Sequence, residues 1–214
     1  MRTAALIILT ILLAFNMILA QKPDSEFHVG IYIGPSLPQG EYAETNGDKS
    51  GYAQNGIGAM VELRKNIHKA TWVSSLIFSS NSTDANAMQD QLFEMGLVAD
   101  DHFSVWAMTG LSLRKALSEN VFIYGSGLFG LLFSNYPDIY TTDGFTKTTY
   151  TYSSTTTLGY GLGAGLSVFK MNLAIRYCMA SPTYVRSGDW LGLNGDKKLT
   201  IPADNLFILF GYEF

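Results

Sequence analysis

Apolar and polar side chains alternate along eight segments of this chain. In the clearest segment, Leu, Tyr, Ala and Val at the even positions from 158 to 168 alternate with Gly159, Gly161, Gly163, Gly165 and Ser167. A period of two residues is typical of a β-strand that has one apolar face. The predicted strands are 27–34, 55–65, 70–79, 102–114, 121–133, 158–168, 172–182 and 205–214.

The direction of the apolar faces decides what kind of sheet this is. In the last segment an apolar, largely aromatic face runs from Leu206 to Phe214, while Asn205, Gly211 and Glu213 lie on the other face. Apolar-out and polar-in alternation over about ten residues is the pattern of a transmembrane β-strand. In the fourth and fifth segments both faces are apolar, so the sequence leaves their orientation open.

The connections between these segments alternate in length. Short connections lie near 66–69, 115–120 and 170–171, and long polar ones near 35–54, 80–101, 134–157 and 183–203. Outer-membrane barrels have short periplasmic turns and long external loops. The chain is therefore predicted to be all-β, an eight-stranded antiparallel up-and-down transmembrane β-barrel with both termini in the periplasm.

Two of the long connections carry patterns of their own. In the second, Met88, Leu92 and Met95 recur at helical spacing and predict a short amphipathic helix that caps the mouth of the barrel. The third is rich in Tyr and Thr, which favour strands. The fifth and sixth strands are therefore expected to continue beyond the membrane as a projecting hairpin.

The beginning of the chain has the pattern of a secretory signal. Met1-Arg2 is basic, residues 4–20 are almost wholly apolar, and 21–24 are abruptly polar. We expect cleavage after Ala20, a periplasmic lead-in at 21–26 and a barrel at 27–214. A retained membrane anchor is the alternative, disfavoured because the apolar stretch is short for a spanning helix.

Composition supports an exported membrane barrel. The chain is 47% hydrophobic and 15% charged, against about 25% charged residues in an average domain. In lipid, only helices and closed barrels pair all of their backbone polar groups. The lone cysteine, Cys178, excludes a disulfide framework. The net charge of −4 argues against a nucleic-acid partner.

Four charged residues are predicted to point into the barrel: Glu62, Arg64, Arg176 and Glu213, with His28 near one end. A buried charge must be paired. The predicted arrangement is an ion-pair network that ties strands together across the lumen. The alternative is a gated polar path for small ions.

His102 and Ser104 form an H-x-S pair on one face of the fourth strand. The pair resembles that of outer-membrane lipid A deacylases, and the resemblance implies a serine nucleophile with a histidine base. Such a base needs a third group to orient it, and the next acid along the chain, Glu119, lies in a turn. No catalytic residue is therefore predicted.

The acidic residues Asp84, Asp90, Asp100 and Asp101 lack the spacing of a calcium loop. Neither a metal site nor a cofactor is predicted. Tyr136, Tyr140, Tyr150 and Tyr152 are candidates for a surface that recognises a partner, because an exposed tyrosine offers a large ring with a polar tip.

The segment from 21 onward resembles the small outer-membrane β-barrel domains of the OmpA/OmpX-like and PorT-like kind. The resemblance rests on the signal, the eight-strand pattern, the glycine column (Gly159, Gly161, Gly163 and Gly165) and the closing Phe210-Gly211-Tyr212-Glu213-Phe214. It implies that Phe210, Tyr212 and Phe214 are the signal read by the barrel-assembly machinery. A PorT-like protein would be linked to secretion, although no motif specific to that branch is present.

The expected function is that of a non-enzymatic integral outer-membrane protein in contact with outer-membrane lipid. Its barrel would anchor surface loops that bind an envelope or extracellular partner. Alternatives are a narrow pore, a secretion accessory, a lipid A-modifying enzyme, and a soluble lipocalin-like binder. The last would need its apolar faces inward, leaving Glu62, Arg64 and Arg176 outside.

Overall fold

The computed structural model describes residues 27–47, 49–67, 69–92, 96–142, 147–187 and 197–214. The signal peptide expected at 1–20 and the lead-in at 21–26 lie outside these residues. Within the described ranges no helix has both the length and the apolar character needed to cross a membrane.

Strands dominate the described chain, which also contains one α-helix, α1 (Ala85–Leu92). In chain order the strands are β1 (Phe27–Pro38), β2 (Ala53–Ile67), β3 (Ala70–Thr83), β4 (Val98–Ala99), β5 (His102–Ser118), β6 (Val121–Asn135), β7 (Ile139–Thr142), β8 (Lys147–Tyr152), β9 (Thr155–Val168), β10 (Met171–Ala180), β11 (Thr183–Ser187), β12 (Lys197–Thr200) and β13 (Asn205–Glu213).

Eight long strands close into an antiparallel barrel in the order β1-β13-β10-β9-β6-β5-β3-β2. Each strand pairs with its neighbours in the chain, apart from the short strands in the loops. The barrel closes where β13 pairs with β1, from Gly30 opposite Glu213 to Pro38 opposite Asn205. Closure leaves no unpaired edge in this eight-stranded sheet. The predicted fold class and strand count are confirmed.

Several barrel strands are longer than predicted. β5 reaches Ser118 instead of 114 at the end with the short turns, and β2 (Ala53–Ile67) is longer at both ends. The other extensions of more than one residue lie at the end that carries the long loops. β1 reaches Pro38 instead of 34, β3 reaches Thr83 instead of 79, and β9 begins at Thr155 instead of 158. At this long-loop end the extensions of β3 and β9 are polar, so the apolar alternation that marks a strand in the sequence stops before the backbone pairing does. We call this the loop end, and the opposite end, with the three short turns, the turn end.

The orientation of β5 and β6, open in the sequence, is resolved by burial. Trp106 and Met108 point into the barrel and are buried, whereas Phe103 is on the outer surface. Inward apolar residues fill the loop half of the lumen around Trp106, Met60, Leu132 and Phe207. The lumen is therefore a packed core, as expected for a barrel of eight strands.

The long loops are themselves folded. A five-stranded sheet in the order β12-β11-β8-β7-β4 lies at the loop end, and β7 and β8 form the projecting hairpin that the Tyr- and Thr-rich segment predicts. The helix expected from Met88, Leu92 and Met95 is present as α1, which contains Met88 and Leu92, whereas Met95 lies outside the described residues. Asp84 begins it by accepting a hydrogen bond from the backbone N–H of Ala87 at 3.0 Å.

Candidate functional site

The turn half of the lumen holds a buried ionic network centred on Glu62. This carboxylate accepts hydrogen bonds from Arg64 Nε at 2.6 Å and from Arg176 Nη2 at 2.6 Å. Glu62 and Arg176 are fully buried. The three side chains come from β2 and β10, which are not neighbours in the sheet, so the contact crosses the inside of the barrel.

Arg64 extends the network to the closing strand. Its Nη1 lies 3.0 Å from Glu213 Oε2, and its Nη2 donates to the Tyr32 hydroxyl at 3.1 Å. Glu213 also accepts from Asn172 Nδ2 at 3.3 Å and lies 3.5 Å from His28 Nδ1. The structure thus brings together all four charged residues that the sequence placed in the lumen, with two carboxylates facing two guanidinium groups.

The glycine column of β9 makes room for these side chains. Arg176 lies directly across from Gly163, where an added Cβ would overlap the guanidinium group. Gly165 leaves space for the Tyr124 ring in the same way, and the Arg64 guanidinium lies 4.6 Å from the centroid of that ring. The column therefore determines where the large inward groups of the turn half can lie.

The loop half of the lumen is neutral, which the sequence analysis did not predict. Ser36 Oγ donates to Asn81 Oδ1 at 3.0 Å, and Asn205 Nδ2 donates to Ser36 Oγ at 2.8 Å. Ser79 and Ser104 share a hydrogen bond of 2.6 Å beside this cluster. The only sequence signal is that Asn81 and Asn205 lie at inward positions of their strands.

His102 and Ser104 are both buried and inward-facing, as their face of the strand predicts. The Ser104 hydroxyl is engaged by Ser79, and the His102 ring packs edge-on between Tyr42 and Tyr136, with centroids 5.2 and 5.4 Å away. A lipid ester on the outer surface would not reach either group. The two residues belong to the packed layer between the lumen and the folded loops.

An aromatic and aliphatic cap lies above His102 at the loop end. It contains Tyr52, Met88, Leu97, Tyr136, Ile139, Tyr150, Tyr184 and Ile201. Burial raises the pKa of the Tyr136 hydroxyl, and it raises the pKa of Tyr184 to about 12. The Tyr184 hydroxyl is hydrogen-bonded to Ser134 Oγ at 2.7 Å, which links the cap to β6.

The cap corrects the expected tyrosine recognition surface. Tyr136 and Tyr150 are buried within it, and Tyr152 is half-buried with its ring 4.7 Å from that of Tyr136. Of the four tyrosines only Tyr140 points away from this core, and its hydroxyl donates to Asp100 Oδ2 at 3.3 Å. Alternation along a strand buries Tyr150 and Tyr152 and exposes Thr149 and Thr151 instead.

The outer surface of the barrel is apolar around its perimeter. Ile57 on β2, Phe129 on β6 and Leu162 on β9 are 57%, 60% and 61% exposed, respectively. Phe210, Tyr212 and Phe214 belong to the same surface, and the Tyr212 and Phe214 rings meet edge-on at 5.1 Å. Within the described ranges no cluster of three or more His, Cys, Asp or Glu residues could hold a metal ion.

Comparison with known proteins identifies the fold. The chain shares it with Ail, the attachment invasion locus protein of Yersinia pestis, at 15% identity and a TM-score of 0.51 over 88% of this chain and 99% of that one. A major outer membrane protein from Thermus thermophilus matches at 13% identity and a TM-score of 0.52 over 89% and 99%. No family model matches the chain. No curated protein matches it either.

Proposed function

We propose that this protein is a non-enzymatic integral protein of the bacterial outer membrane whose barrel anchors a folded loop cap. The observation that carries the proposal is the inverted distribution of polarity. Large apolar side chains such as Phe129 and Leu162 cover the outside, while Glu62 and Arg176 are fully buried inside. In water, such an apolar surface would be costly, whereas in lipid it is the required one.

The same distribution disfavours the soluble lipocalin-like alternative. A lipocalin-like protein would have apolar side chains around an internal cavity and charged ones outside. Here, however, Glu62 pairs with Arg64 and Arg176 within the lumen. The filled interior likewise favours an anchor over a pore, because Trp106, Leu132 and Phe207 pack across the loop half. The secretion-accessory alternative has no residue in the described chain that supports it.

The orientation of the barrel follows from the connections. We place the turn end and both termini in the periplasm and the loop end outside the cell, since outer-membrane barrels carry their long loops externally. The proposed contact surface for an envelope or extracellular partner is the exposed face of the β7–β8 hairpin, with Thr149, Thr151 and Tyr140. Ail carries attachment and invasion in its name, which is consistent with a surface role for this fold.

Electrophoretic mobility tests the proposal directly. The outer-membrane fraction of expressing cells is run in SDS, once unheated and once boiled. A membrane barrel stays folded without heating and migrates differently after boiling, so we expect the protein in that fraction with a shift. Recovery in the periplasm without a shift would overturn the proposal. Steady single-channel conductance in a planar bilayer would favour the pore instead.

The barrel-assembly machinery is the proposed partner during insertion. Phe210 and Tyr212 on β13, with Phe214 directly after it, form an outward aromatic face that is available before the strand pairs with β1. We expect Phe214→Ala to reduce the amount of heat-shifting protein in the outer membrane severalfold. Phe169→Ala, which removes an exposed aromatic from a turn instead, is the control; equal losses in both variants would argue against a signal in β13.

A further inference from the structure

Charge is distributed unequally between the two ends of the barrel. In the part of the chain that the structure describes, the loop end carries eight acidic residues, Glu41, Glu44, Asp84, Asp90, Asp100, Asp101, Asp138 and Asp204, against five basic ones, Lys49, Lys147, Arg186, Lys197 and Lys198. The outer rim of the turn end carries Lys65, Lys69, Lys115 and Lys170 against a single acid, Glu119. The turn-end rim is thus positively charged, although the protein as a whole is acidic.

The four lysines, which we call the collar, are spread around the perimeter. Lys65 is on β2, Lys69 in the β2–β3 turn, Lys115 on β5 near the next turn, and Lys170 in the β9–β10 turn. Lys65 and Lys115 occupy outward positions of their strands. Lys115 lies two residues from Leu113 and from Leu117, which are both exposed on the outer surface. The collar therefore borders the apolar band.

Aromatic rings hold two of these lysines in place. Lys65 Nζ lies 4.8 Å from the centroid of the Phe27 ring, and Lys170 Nζ lies 5.8 Å from that of Tyr212. Aromatic girdles mark the level of the membrane interface in such barrels, and a lysine beside them extends its ammonium group towards the headgroups. The pairs thus place positive charge beside aromatic rings of the outer surface.

A strained turn contributes to the same rim. Phe169, next to Lys170, has φ +56°, a left-handed conformation that is unusual for a bulky residue. Its N–H donates to the Asn120 carbonyl at 2.8 Å, which ties two turns together. The Phe169 ring is 71% exposed, so the strain serves to display an aromatic at the turn end.

Within the described chain, the collar charges have no carboxylate partners. The salt bridges among these residues all lie within the lumen network, and Glu213, the nearest buried acid, is occupied by Arg64 and His28. Four ammonium groups on one rim, none of them in a salt bridge among the described residues, are complementary to a surface of single negative charges.

We propose that the collar binds the phosphates of anionic phospholipids in the leaflet at the turn end, in preference to zwitterionic lipid. The inference rests on the proposed function, since it requires a barrel that spans a membrane. Each lysine near an anionic membrane surface favours association about fivefold. Because Lys69, Lys115 and Lys170 are exposed and Lys65 is only half-buried, salt should weaken the preference.

Trp72 provides a local reporter for the lipid beside the collar. It lies directly across from Lys65 on β3, at an outward and half-buried position. The protein is folded into vesicles that contain either brominated phosphatidylglycerol or brominated phosphatidylcholine, and tryptophan quenching is compared. The Trp72→Phe variant identifies the fraction of the quenching that belongs to this residue. We expect severalfold preferential association of phosphatidylglycerol, and we expect high salt to abolish it.

Two matched double variants test whether the collar lysines cause the preference for phosphatidylglycerol. K65Q/K170Q removes two collar charges, and K49Q/K198Q removes two exposed charges from the loop end. The first pair should lose most of the preference and the second should retain it, while both keep the mobility shift on boiling. Equal losses in both pairs would overturn the collar and indicate an effect of net charge.

The two proposals fail in different ways. If the barrel folds in the vesicles and both lipids quench Trp72 equally, the collar proposal is wrong and the membrane barrel stands. The collar lysines would then be available to bind an acidic molecule in the periplasm instead. If neither lipid quenches Trp72 and no heat-dependent shift is seen, the membrane barrel itself fails, and the collar proposal with it.

Discussion

The two halves of the lumen are filled by different kinds of polar side chain. The turn half is ionic, with Glu62 between Arg64 and Arg176. The loop half is neutral, with Ser36, Asn81 and Asn205 below a cap of tyrosines. A buried charge is costly unless every partner is present, whereas a lost neutral hydrogen bond costs about 1 kcal/mol. We therefore expect the turn half to tolerate far less change than the loop half.

The difference also separates what each half does for the barrel. The ionic network joins β2, β10 and β13, and so connects the closing strand to its neighbour β10 and to β2, which lies on the far side of β1. The two carboxylate oxygens of Glu62 each face a different arginine, so the network requires particular atoms at particular positions. The loop half connects the barrel to the folded loops, where Tyr184 bonds to Ser134 and Tyr136 packs on His102.

The largest effect is expected for Glu62→Gln. This variant keeps the shape of the side chain but leaves Arg176 buried without a carboxylate. Removing one partner of a buried pair costs about 3–5 kcal/mol. The free energy of unfolding, measured by denaturant titration in lipid vesicles, should fall by that amount.

The control for this change is Glu119→Gln, the same substitution at an exposed turn position. It should shift the free energy of unfolding by no more than about 0.5 kcal/mol. Similar values for both variants would mean that the network contributes no more than a surface charge, and the contrast between the two halves would disappear.

Gly163→Ala should have the next largest effect. An added Cβ would overlap the Arg176 guanidinium and also approach Ser126 Oγ, which accepts a hydrogen bond from Arg176. Overpacking of this kind costs about 1–3 kcal/mol. Gly127→Ala is the matched control, since nothing lies within 4 Å of a Cβ at that position. A loss of stability in both variants would point to backbone effects of glycine rather than to Arg176.

Asn81→Ala tests the neutral half. Asn81 Nδ2 donates to the carbonyls of Ser36 and Gln54, and its Oδ1 accepts from Ser36 Oγ. Because the partners are uncharged, we expect a loss of about 1.5 kcal/mol, well below that for Glu62→Gln. A loss as large as that of the charged variant would show that burial, and not charge, determines the sensitivity of the lumen.

Much of the barrel could be predicted from alternation alone. The period of two fixes which residues share a face, so alternation by itself places Glu62, Arg64, Arg176 and Glu213 inside. Alternation fails where both faces are apolar, as in β5. It also fails where a strand continues with polar residues, as at the loop ends of β3 and β9, because apolar and polar positions no longer alternate there.

The loop end could not be predicted in the same way. The position of Tyr136 and Tyr150 in a long connection predicts exposure, but they are buried in a second core that only the folding of several loops creates. Residues such as Tyr52, Met88 and Tyr184 meet there from three different loops. No local pattern specifies such an encounter, since it depends on how the loops pack on one another.

The smallest effect is expected in that cap, and pH can isolate it. Tyr184→Phe removes the hydrogen bond to Ser134 and should cost about 0.5–1 kcal/mol near neutral pH, with outward-facing Tyr160→Phe as the control for loss of a hydroxyl.

Burial raises the pKa of Tyr184 from 10.0 to about 12, so the folded cap holds this proton more tightly than the unfolded chain does. The stabilisation is therefore complete below pH 10 and is lost as the pH rises towards 12. Tyrosinate absorbance and the unfolding midpoint should both show this dependence in the parent protein, and Tyr184→Phe should weaken it. If the unfolding midpoint of the parent protein does not change over this range, the cap does not hold Tyr184 in its neutral form. The hydrogen bond to Ser134 would then contribute nothing to the stability of the loop half.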